Sequence, residues 1–172
     1  MLERGYIQVY TGNGKGKTTA ALGITLRAAC AGNKIFMGQF MKGLDYSELK
    51  APGCLPNLEM EQFGDAHFIS GKPTEEDRQS AQRGLARMKE VIASGKYDLV
   101  IFDELNTTLH FKLVPIQEVL GILDMKPEKT EVIITGRYAP QEIVDRADLV
   151  TEMREIKHYY KAGVNARVGI EK

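Results

Sequence analysis

The chain has no excess of charge of either sign, only two cysteines, and no apolar run long enough to cross a membrane. Its 23 basic residues balance 23 acidic ones, which argues against a broad nucleic-acid-binding surface while leaving room for a local basic patch. A membrane-spanning helix needs roughly 20 consecutive apolar residues, and residues 1–6 lack the apolar core of a signal peptide. We therefore expect a cytoplasmic protein with no membrane or nucleic-acid partner.

The two cysteines do not form a metal-binding pattern. Cys30 falls inside a predicted helix and Cys54 in a predicted loop, and neither has a partner at the spacing of metal ligands. We interpret both as buried or incidental thiols.

The most informative stretch is Thr-Gly-Asn-Gly-Lys-Gly-Lys-Thr-Thr at residues 11–19, which lies between a strand pattern and a helix pattern. Glycines let backbone N–H groups close on an anion, and the first turn of the following helix adds unpaired amides. Lys17 adds a positive charge, and Thr18 lies where the hydroxyl of a phosphate-binding loop ligates Mg²⁺. The stretch matches the pattern G-x-x-x-x-G-K-[ST] from Gly16 onwards, but Thr11 stands at its first glycine position. A tightened or shifted start of the loop is expected.

Strand and helix patterns alternate along the 172 residues, which is typical of a mostly parallel sheet covered on both faces. We predict strands at residues 6–10, 34–40, 58–63, 97–102, 131–135 and 149–153. Helices are predicted at residues 18–31, 74–95, 115–124 and 140–147, with a partly helical connection at residues 42–49. The strand at residues 97–102 is the most continuously apolar, so we place it at the centre of the sheet. The prediction is one α/β domain over residues 1–172, a three-layer sandwich like that of P-loop nucleotide hydrolases.

Two of these helices carry specific signals. In the first, the predicted buried side consists of Ala21, Leu22, Thr25, Leu26 and Ala29. In the longer one, Thr-Glu-Glu-Asp from residue 74 predicts a capping box, and Gly95 predicts the end.

Charged residues follow two of the predicted strands. Asp103 and Glu104 come directly after the central strand, whose carboxyl end faces the phosphate loop in sheets of this type. Carboxylates there support Mg²⁺ or its waters, so both residues are metal candidates; the alternative is that they only cap the next segment. Arg137 follows the strand at residues 131–135 and is predicted to clamp a phosphate or carboxylate, with a structural ion pair as the alternative.

The chain resembles the P-loop type of ATP:corrinoid adenosyltransferase over nearly its whole length. The matching motifs, in the family's order, are YTGNGKGKTTAA at residues 10–21, QFMKG at 39–43, DLVIFDEL at 98–105, VIITGR at 132–137 and EMREIKH at 152–158. The stretch AGVNARVGIE at residues 162–171 is similar too. The altered loop start also fits, since members of this family lack the first glycine at its usual position.

The resemblance implies transfer of the 5′-deoxyadenosyl group of ATP to the cobalt of a reduced corrinoid, cob(I)alamin or cob(I)yrinic acid a,c-diamide. Triphosphate is released, in coenzyme B12 biosynthesis or salvage. ATP, Mg²⁺ and the corrinoid are implied as co-substrate, cofactor and substrate. A homodimer and an electron-donor protein, such as a flavodoxin or flavoprotein reductase, are implied as partners. Because the corrinoid nucleophile is very strong, the protein has only to position the reactants and neutralise charge.

The resemblance also assigns roles to residues. It implies metal ligation by Thr18 and Glu104, and catalytic roles for these two together with Lys17. Arg27 matches a basic position near the nucleotide, with a solvated or ion-paired helix residue as the alternative. The complete set of expected nucleotide-binding residues is Gly12, Asn13, Gly14, Lys15, Gly16, Lys17, Thr18, Thr19, Arg27 and Arg137.

The corrinoid-binding segment departs from the family. Related enzymes place aromatic side chains, often including Trp, after the third strand to close the lower face of the corrin. This chain has no Trp, and the stretch after residue 63 offers only His67 and Phe68. We expect Phe68 to exclude water and the lower axial ligand from cobalt. We expect His67 to act as a wall rather than a ligand, because a coordinated imidazole would stabilise the oxidised, five-coordinate cobalt.

Two other functions share part of this pattern. A small P-loop kinase, such as a thymidine-kinase-like enzyme, has the same strand, loop and acidic strand end, but usually carries a zinc site of paired cysteines that this chain does not have. A nucleotide-dependent ATPase or binding module needs a water-positioning residue, and none is identified. The products distinguish the three functions: triphosphate, ADP with a phosphorylated acceptor, or ADP with phosphate.

Overall fold

A computed structural model of the protein describes residues 2–64 and 72–172. The strands are β1 (Ile7–Thr11), β2 (Ile35–Phe40), β3 (Leu58–Phe63), β4 (Leu99–Asp103), β5 (Glu131–Thr135) and β6 (Leu149–Glu152). They form one sheet in the order β3-β2-β4-β5-β1-β6, in which every pairing is parallel. All six lie within two residues of the predicted bounds, and β4 is one of the two central strands.

The helices are α1 (Lys17–Cys30), α2 (Glu75–Ser94), α3 (Leu105–His110), α4 (Ile116–Asp124) and α5 (Gln141–Arg146). Two 3₁₀ helices lie at Ser47–Gly53 and Tyr159–Ala162. The four predicted helices are confirmed, whereas α3 and the second 3₁₀ helix were not predicted. Within the described ranges, no helix is long and apolar enough to cross a membrane.

The helices cover both faces of the sheet, which confirms the three-layer architecture. Successive residues of β4 point to opposite faces, because side chains alternate along a strand. Val100 and Phe102 join a core cluster with α2, α3, α4 and α5, while Leu99 and Ile101 join a second cluster with α1. A strand buried on both sides presents apolar side chains to both faces, which explains the continuous apolar pattern of β4 up to Phe102.

The prediction for the buried side of α1 is wrong at Leu26. Helix α1 buries Lys17, Ala21 and Thr25, which are spaced four residues apart and form a narrow stripe. Leu26 follows Thr25 by about 100° around the helix axis, which takes its side chain beyond this stripe, where it is 54% exposed. Ala29, which continues the row, and Leu22, beside it, are half-buried.

The signals at the ends of α2 are confirmed. The hydroxyl of Thr74 accepts a hydrogen bond from the N–H of Asp77 at 3.2 Å, and the Asp77 carboxylate accepts from the N–H of Thr74 at 2.8 Å. Gly95 follows the last turn in a left-handed conformation with φ 60°. The two free cysteines, Cys30 and Cys54, are both exposed, so they are not buried thiols.

The strand order brings the candidate functional segments to one edge of the sheet. Strands β4, β5 and β1 are adjacent, with β2 and β6 on either side. Because all are parallel, the segments that follow them emerge at the same edge, where ligands bind in folds of this class.

Candidate functional site

The phosphate loop follows β1 and passes directly into α1. Gly12 and Gly16 have φ angles of 94° and 119°, a region that residues with a Cβ rarely adopt. A Cβ on Gly12 or Gly14 would lie 2.5 or 2.7 Å from the carbonyl oxygen of Met153. The N–H of Gly14 donates to that oxygen at 2.6 Å. The loop is therefore packed tightly against the segment after β6, and that contact requires glycine at positions 12 and 14.

The unusual start of the loop has a structural explanation. Thr11 is the last residue of β1 and pairs with Glu152 of β6, so it belongs to the sheet rather than to the loop. Its hydroxyl also accepts a hydrogen bond from the N–H of Ala139 at 3.2 Å. The loop begins only at Gly12, as the shifted motif predicted, so no glycine is needed at position 11.

The ammonium group of Lys17 lies inside the loop. It donates to the carbonyl oxygens of Gly12 and Gly14 at 2.8 and 2.7 Å, and the residue is 7% exposed. Burial lowers the pKa of Lys17, and the nearby Glu104 carboxylate opposes that shift. A cation held beside the N–H groups of a helix start is the usual arrangement for binding phosphate.

Asp103 is fully buried at the end of β4 and accepts four hydrogen bonds. Its Oδ1 accepts from the hydroxyls of Thr18 and Thr135 at 2.9 and 2.7 Å. Its Oδ2 accepts from Nε2 of Gln39 at 3.2 Å and from Nζ of Lys42 at 2.8 Å. All the acceptor positions of this carboxylate are therefore in use, and Asp103 joins the first turn of α1 to β2, β4 and β5.

Glu104 has the left-handed conformation, with φ 61°, and immediately precedes α3. Its N–H donates to the Thr135 hydroxyl at 3.0 Å, and its carboxylate accepts from the Thr107 hydroxyl at 2.6 Å. Burial, together with the neighbouring Asp103 carboxylate, raises the pKa of Glu104. Unlike Asp103, Glu104 lies on the wall of the cavity beside the loop.

That cavity has a volume of about 490 Å³ and includes most of the predicted residues. Loop residues 14–19 form one wall, and Glu104 and Arg137 form another. The remaining walls come from segments that the sequence did not assign to the site: Lys42, Tyr46, Ser47, Glu48, His158 and residues 169–172.

Five of the other predicted residues lie elsewhere or are not described. Gly12 is not on the cavity wall, but its carbonyl oxygen accepts a hydrogen bond from Lys17. Asn13 is exposed. Arg27 is exposed near the end of α1, ten residues after Lys17, and is not on the cavity wall. His67 and Phe68 lie outside the described residues.

The last part of the chain closes the cavity in a way that no local pattern predicts. Glu171 lies 3.8 Å from Nζ of Lys15 and accepts hydrogen bonds from Arg167 and Tyr159. These hydrogen bonds lower the pKa of Glu171 to about 2, so its carboxylate is charged at neutral pH. The backbone carbonyl of Lys172 accepts from the Ser47 hydroxyl at 2.9 Å. We call residues 159–172 the tail segment.

Two oxygen-bearing side chains on the cavity wall have the chemistry that a magnesium ion prefers. Mg²⁺ prefers oxygen ligands and is usually held by one or two carboxylates plus substrate phosphates, rather than by a complete protein cage. Thr18 and Glu104 supply a hydroxyl and a carboxylate on the cavity wall. In the ranges that the structure covers, no three His, Cys, Asp or Glu side chains are grouped to hold a metal, so a cation here would take most of its ligands from phosphate and water.

Known proteins resemble this chain both in sequence and in fold. Residues 3–171 match the family model described as ATP:corrinoid adenosyltransferase BtuR/CobO/CobP. The corrinoid adenosyltransferase of Escherichia coli K12 and the corrinoid adenosyltransferase CobA of Salmonella typhimurium LT2 are each 36% identical to it over 173 residues. Each match covers 98% of this chain and 86% of the relative.

A solved structure of the RadB recombinase has a TM-score of 0.56 at 17% identity, over 91% of this chain and 78% of that one. This likeness supports the fold alone. The sequence matches, in contrast, extend over nearly every element that builds the cavity, from the phosphate loop to the tail segment. On that basis, the chain belongs to the ATP:corrinoid adenosyltransferase family.

Proposed function

We propose that this chain, acting as a single domain, transfers the 5′-deoxyadenosyl group of ATP to the cobalt of a reduced corrinoid, in coenzyme B12 biosynthesis or salvage. The observation that best supports the proposal is the cavity in which Lys17, Thr18 and Glu104 come together beside the phosphate loop. The choice of a corrinoid as the acceptor of the adenosyl group rests on the family match.

In the proposed reaction, an electron pair of cobalt(I) attacks C5′ of ATP. The bond between C5′ and the triphosphate oxygen breaks, and its electron pair leaves with triphosphate. Negative charge develops on that oxygen, so the catalytic task is to neutralise it. Lys15 and Lys17 lie on the cavity wall, and we assign this task to them and to the backbone N–H groups at the start of α1.

We assign the metal contacts to Thr18 and Glu104. Bound Mg²⁺ would supply further neutralisation of the triphosphate charge. Asp103 already accepts four hydrogen bonds, one of them from Thr18, so its proposed part is to orient the threonine hydroxyl. The backbone N–H of Arg137 donates to the Thr107 hydroxyl at 3.1 Å, and the Arg137 side chain is proposed to bind a phosphate oxygen.

The remaining proposals rest on the family resemblance. We propose that the protein works as a cytoplasmic homodimer and that a flavodoxin or flavoprotein reductase supplies the electrons that reduce the corrinoid cobalt. His67 and Phe68 remain the candidates for closing the lower face of the corrin.

The test is incubation of the protein with ATP, Mg²⁺ and chemically reduced cobalamin. We expect the absorption spectrum of a light-sensitive Co–C product and one triphosphate for each product formed. ADP with a phosphorylated acceptor would indicate a kinase, and ADP with phosphate would indicate an ATPase. Either result, without the Co–C product, would contradict the proposal.

A further inference from the structure

Lys42 is a buried cation to which neither the phosphate-loop motif nor the metal site assigns a role. It follows β2 by two residues, and its side chain is only 13% exposed. Nζ lies 2.8 Å from Oδ2 of Asp103 and 3.6 Å from Oε1 of Glu48. Nζ also lies 5.2 Å from the centre of the Tyr46 ring, so the position of the ammonium group is defined from three sides.

The charge of Lys42 matters because Asp103 is fully buried. A buried carboxylate without a compensating cation is strongly unfavourable. Among residues 2–64 and 72–172, four groups donate to Asp103: two are hydroxyls, one is an amide, and only that of Lys42 carries a charge. Lys42 therefore balances Asp103 and holds Oδ2 in place, which leaves Oδ1 directed at Thr18.

The backbone around Lys42 is built to place it there. Met41, immediately before it, has φ 55°, a left-handed conformation that is unfavourable for a residue with a Cβ. Gly64, after β3, packs so closely against this turn that a Cβ on it would lie 2.5 Å from the backbone nitrogen of Lys42. A strained residue that persists in a well-packed turn is a common feature of functional sites.

We propose that Lys42 is a positioning residue of the nucleotide site: acting through Asp103, it fixes the hydroxyl of Thr18 for the metal-bound triphosphate. This inference rests on the proposed function. It differs from a direct role in which the Lys42 ammonium group itself binds a phosphate oxygen, which its place on the cavity wall would also allow.

The test measures binding of tripolyphosphate by isothermal titration calorimetry, with and without Mg²⁺, in wild type, Lys42→Met and Lys42→Arg. Neither corrinoid nor turnover is needed, so failure of this inference and failure of the proposed function are distinguishable. Loss of an outer-shell partner of a metal typically costs about 10- to 100-fold in affinity. We expect that loss for Mg²⁺-dependent binding in Lys42→Met, partial recovery in Lys42→Arg, and little change without Mg²⁺.

The matched control is Lys50→Met, which removes an exposed lysine from the neighbouring 3₁₀ helix and should leave binding unchanged. An equal loss with and without Mg²⁺ in Lys42→Met would indicate direct phosphate binding and overturn the inference. Unchanged binding in both conditions would overturn it as well.

A second pair of variants covers the case in which Lys42→Met fails to fold because Asp103 is left without a cation. Asp103→Asn removes the buried charge, and Asp103→Asn with Lys42→Met removes both charges. If Lys42 acts only through Asp103, the double variant should bind Mg²⁺-tripolyphosphate as weakly as Asp103→Asn alone. A further large loss in the double variant would show that Lys42 acts independently and would refute the proposal.

Discussion

Lys17 donates to two carbonyl oxygens of its own loop, so its ammonium group serves the loop rather than an apolar core. We expect Lys17→Ala to retain the fold but lose most adenosyl transfer. The loss should be on the order of 2–4 kcal/mol of transition-state stabilisation, comparable to removing a preorganised donor from a developing oxyanion. It is measured as kcat/KM in the reduced-cobalamin assay, with circular dichroism to verify folding. Turnover close to that of wild type would contradict the proposal that this loop binds the triphosphate.

Glu104 presents its carboxylate at the cavity wall, where the hydroxyl of Thr107 donates to it. Glu104→Gln keeps the size of the side chain but removes its charge. We expect a higher Mg²⁺ concentration for half-maximal activity and partial recovery at high Mg²⁺, because carboxylates are preferred ligands of this ion. The control is Glu90→Gln, in α2. An unchanged Mg²⁺ dependence would leave Glu104 as a hydrogen-bond partner of α3 and would make Asp103 the metal candidate.

Glu171 brings a carboxylate that is charged at neutral pH within 3.8 Å of Lys15, on the wall of a cavity proposed for a polyanion. We expect Glu171→Gln to tighten tripolyphosphate binding by roughly two- to fivefold, as for exposed charge pairs. High salt should reduce the difference because it screens exposed charges. Glu155→Gln, which loses the ion pair with Lys161 in the same part of the chain, is the control. Weaker binding in Glu171→Gln would mean that Glu171 helps to form the site.

At the level of secondary-structure elements, the sequence predicted what depends on periodicity and missed what depends on distant contacts. The apolar run of β4 and the glycine-rich start of α1 are local signals, and both were located correctly. Helix α3 was missed because Asn106 and two threonines are poor helix formers. Its residues Leu105 and Leu109 are buried against the core, so packing holds this short helix in place.

The same reasoning explains which site residues were missed. Lys17 and Thr18 could be assigned from spacing, because the loop and the first turn of α1 are continuous in sequence. Lys42 contacts Asp103 across 61 residues of sequence, and only the pairing of β2 with β4 brings them together. Glu171 meets Lys15 across almost the whole chain. Neither contact leaves a periodic signal.

The capping box of α2 allows a prediction for this helix alone. Thr74 does not line the cavity. Its hydroxyl accepts a hydrogen bond from the N–H of Asp77 in the first turn of the helix. Thr74→Ala should lower the free energy of unfolding by about 1 kcal/mol, the usual cost of losing an N-cap. Urea denaturation measures this loss, and Thr74→Ser should recover most of it. The affinity for tripolyphosphate should stay the same; a parallel loss of affinity would show that the start of α2 is coupled to the site.

For the whole molecule, the site exists only in the folded state, because its walls come from segments that follow β1, β2, β4, β5 and β6. A ligand that binds only the folded protein stabilises it by about 2.7 kcal/mol at 100 times its Kd. For a protein of this size, 1 kcal/mol raises Tm by roughly 2–4 °C. We therefore expect Mg²⁺-tripolyphosphate at that concentration to raise Tm by about 5–10 °C in a thermal melt.

The matched experiment uses Lys17→Ala, which should show little or no shift at the same ligand concentration because its loop lacks the central cation. Adenosine alone should shift the wild-type Tm much less than tripolyphosphate, since most of the charged groups on the cavity wall complement phosphate. An equal shift in wild type and Lys17→Ala would place tripolyphosphate away from the loop. A shift with adenosine but none with tripolyphosphate would mean that the nucleoside, and not the phosphate chain, is the part of ATP that this cavity binds.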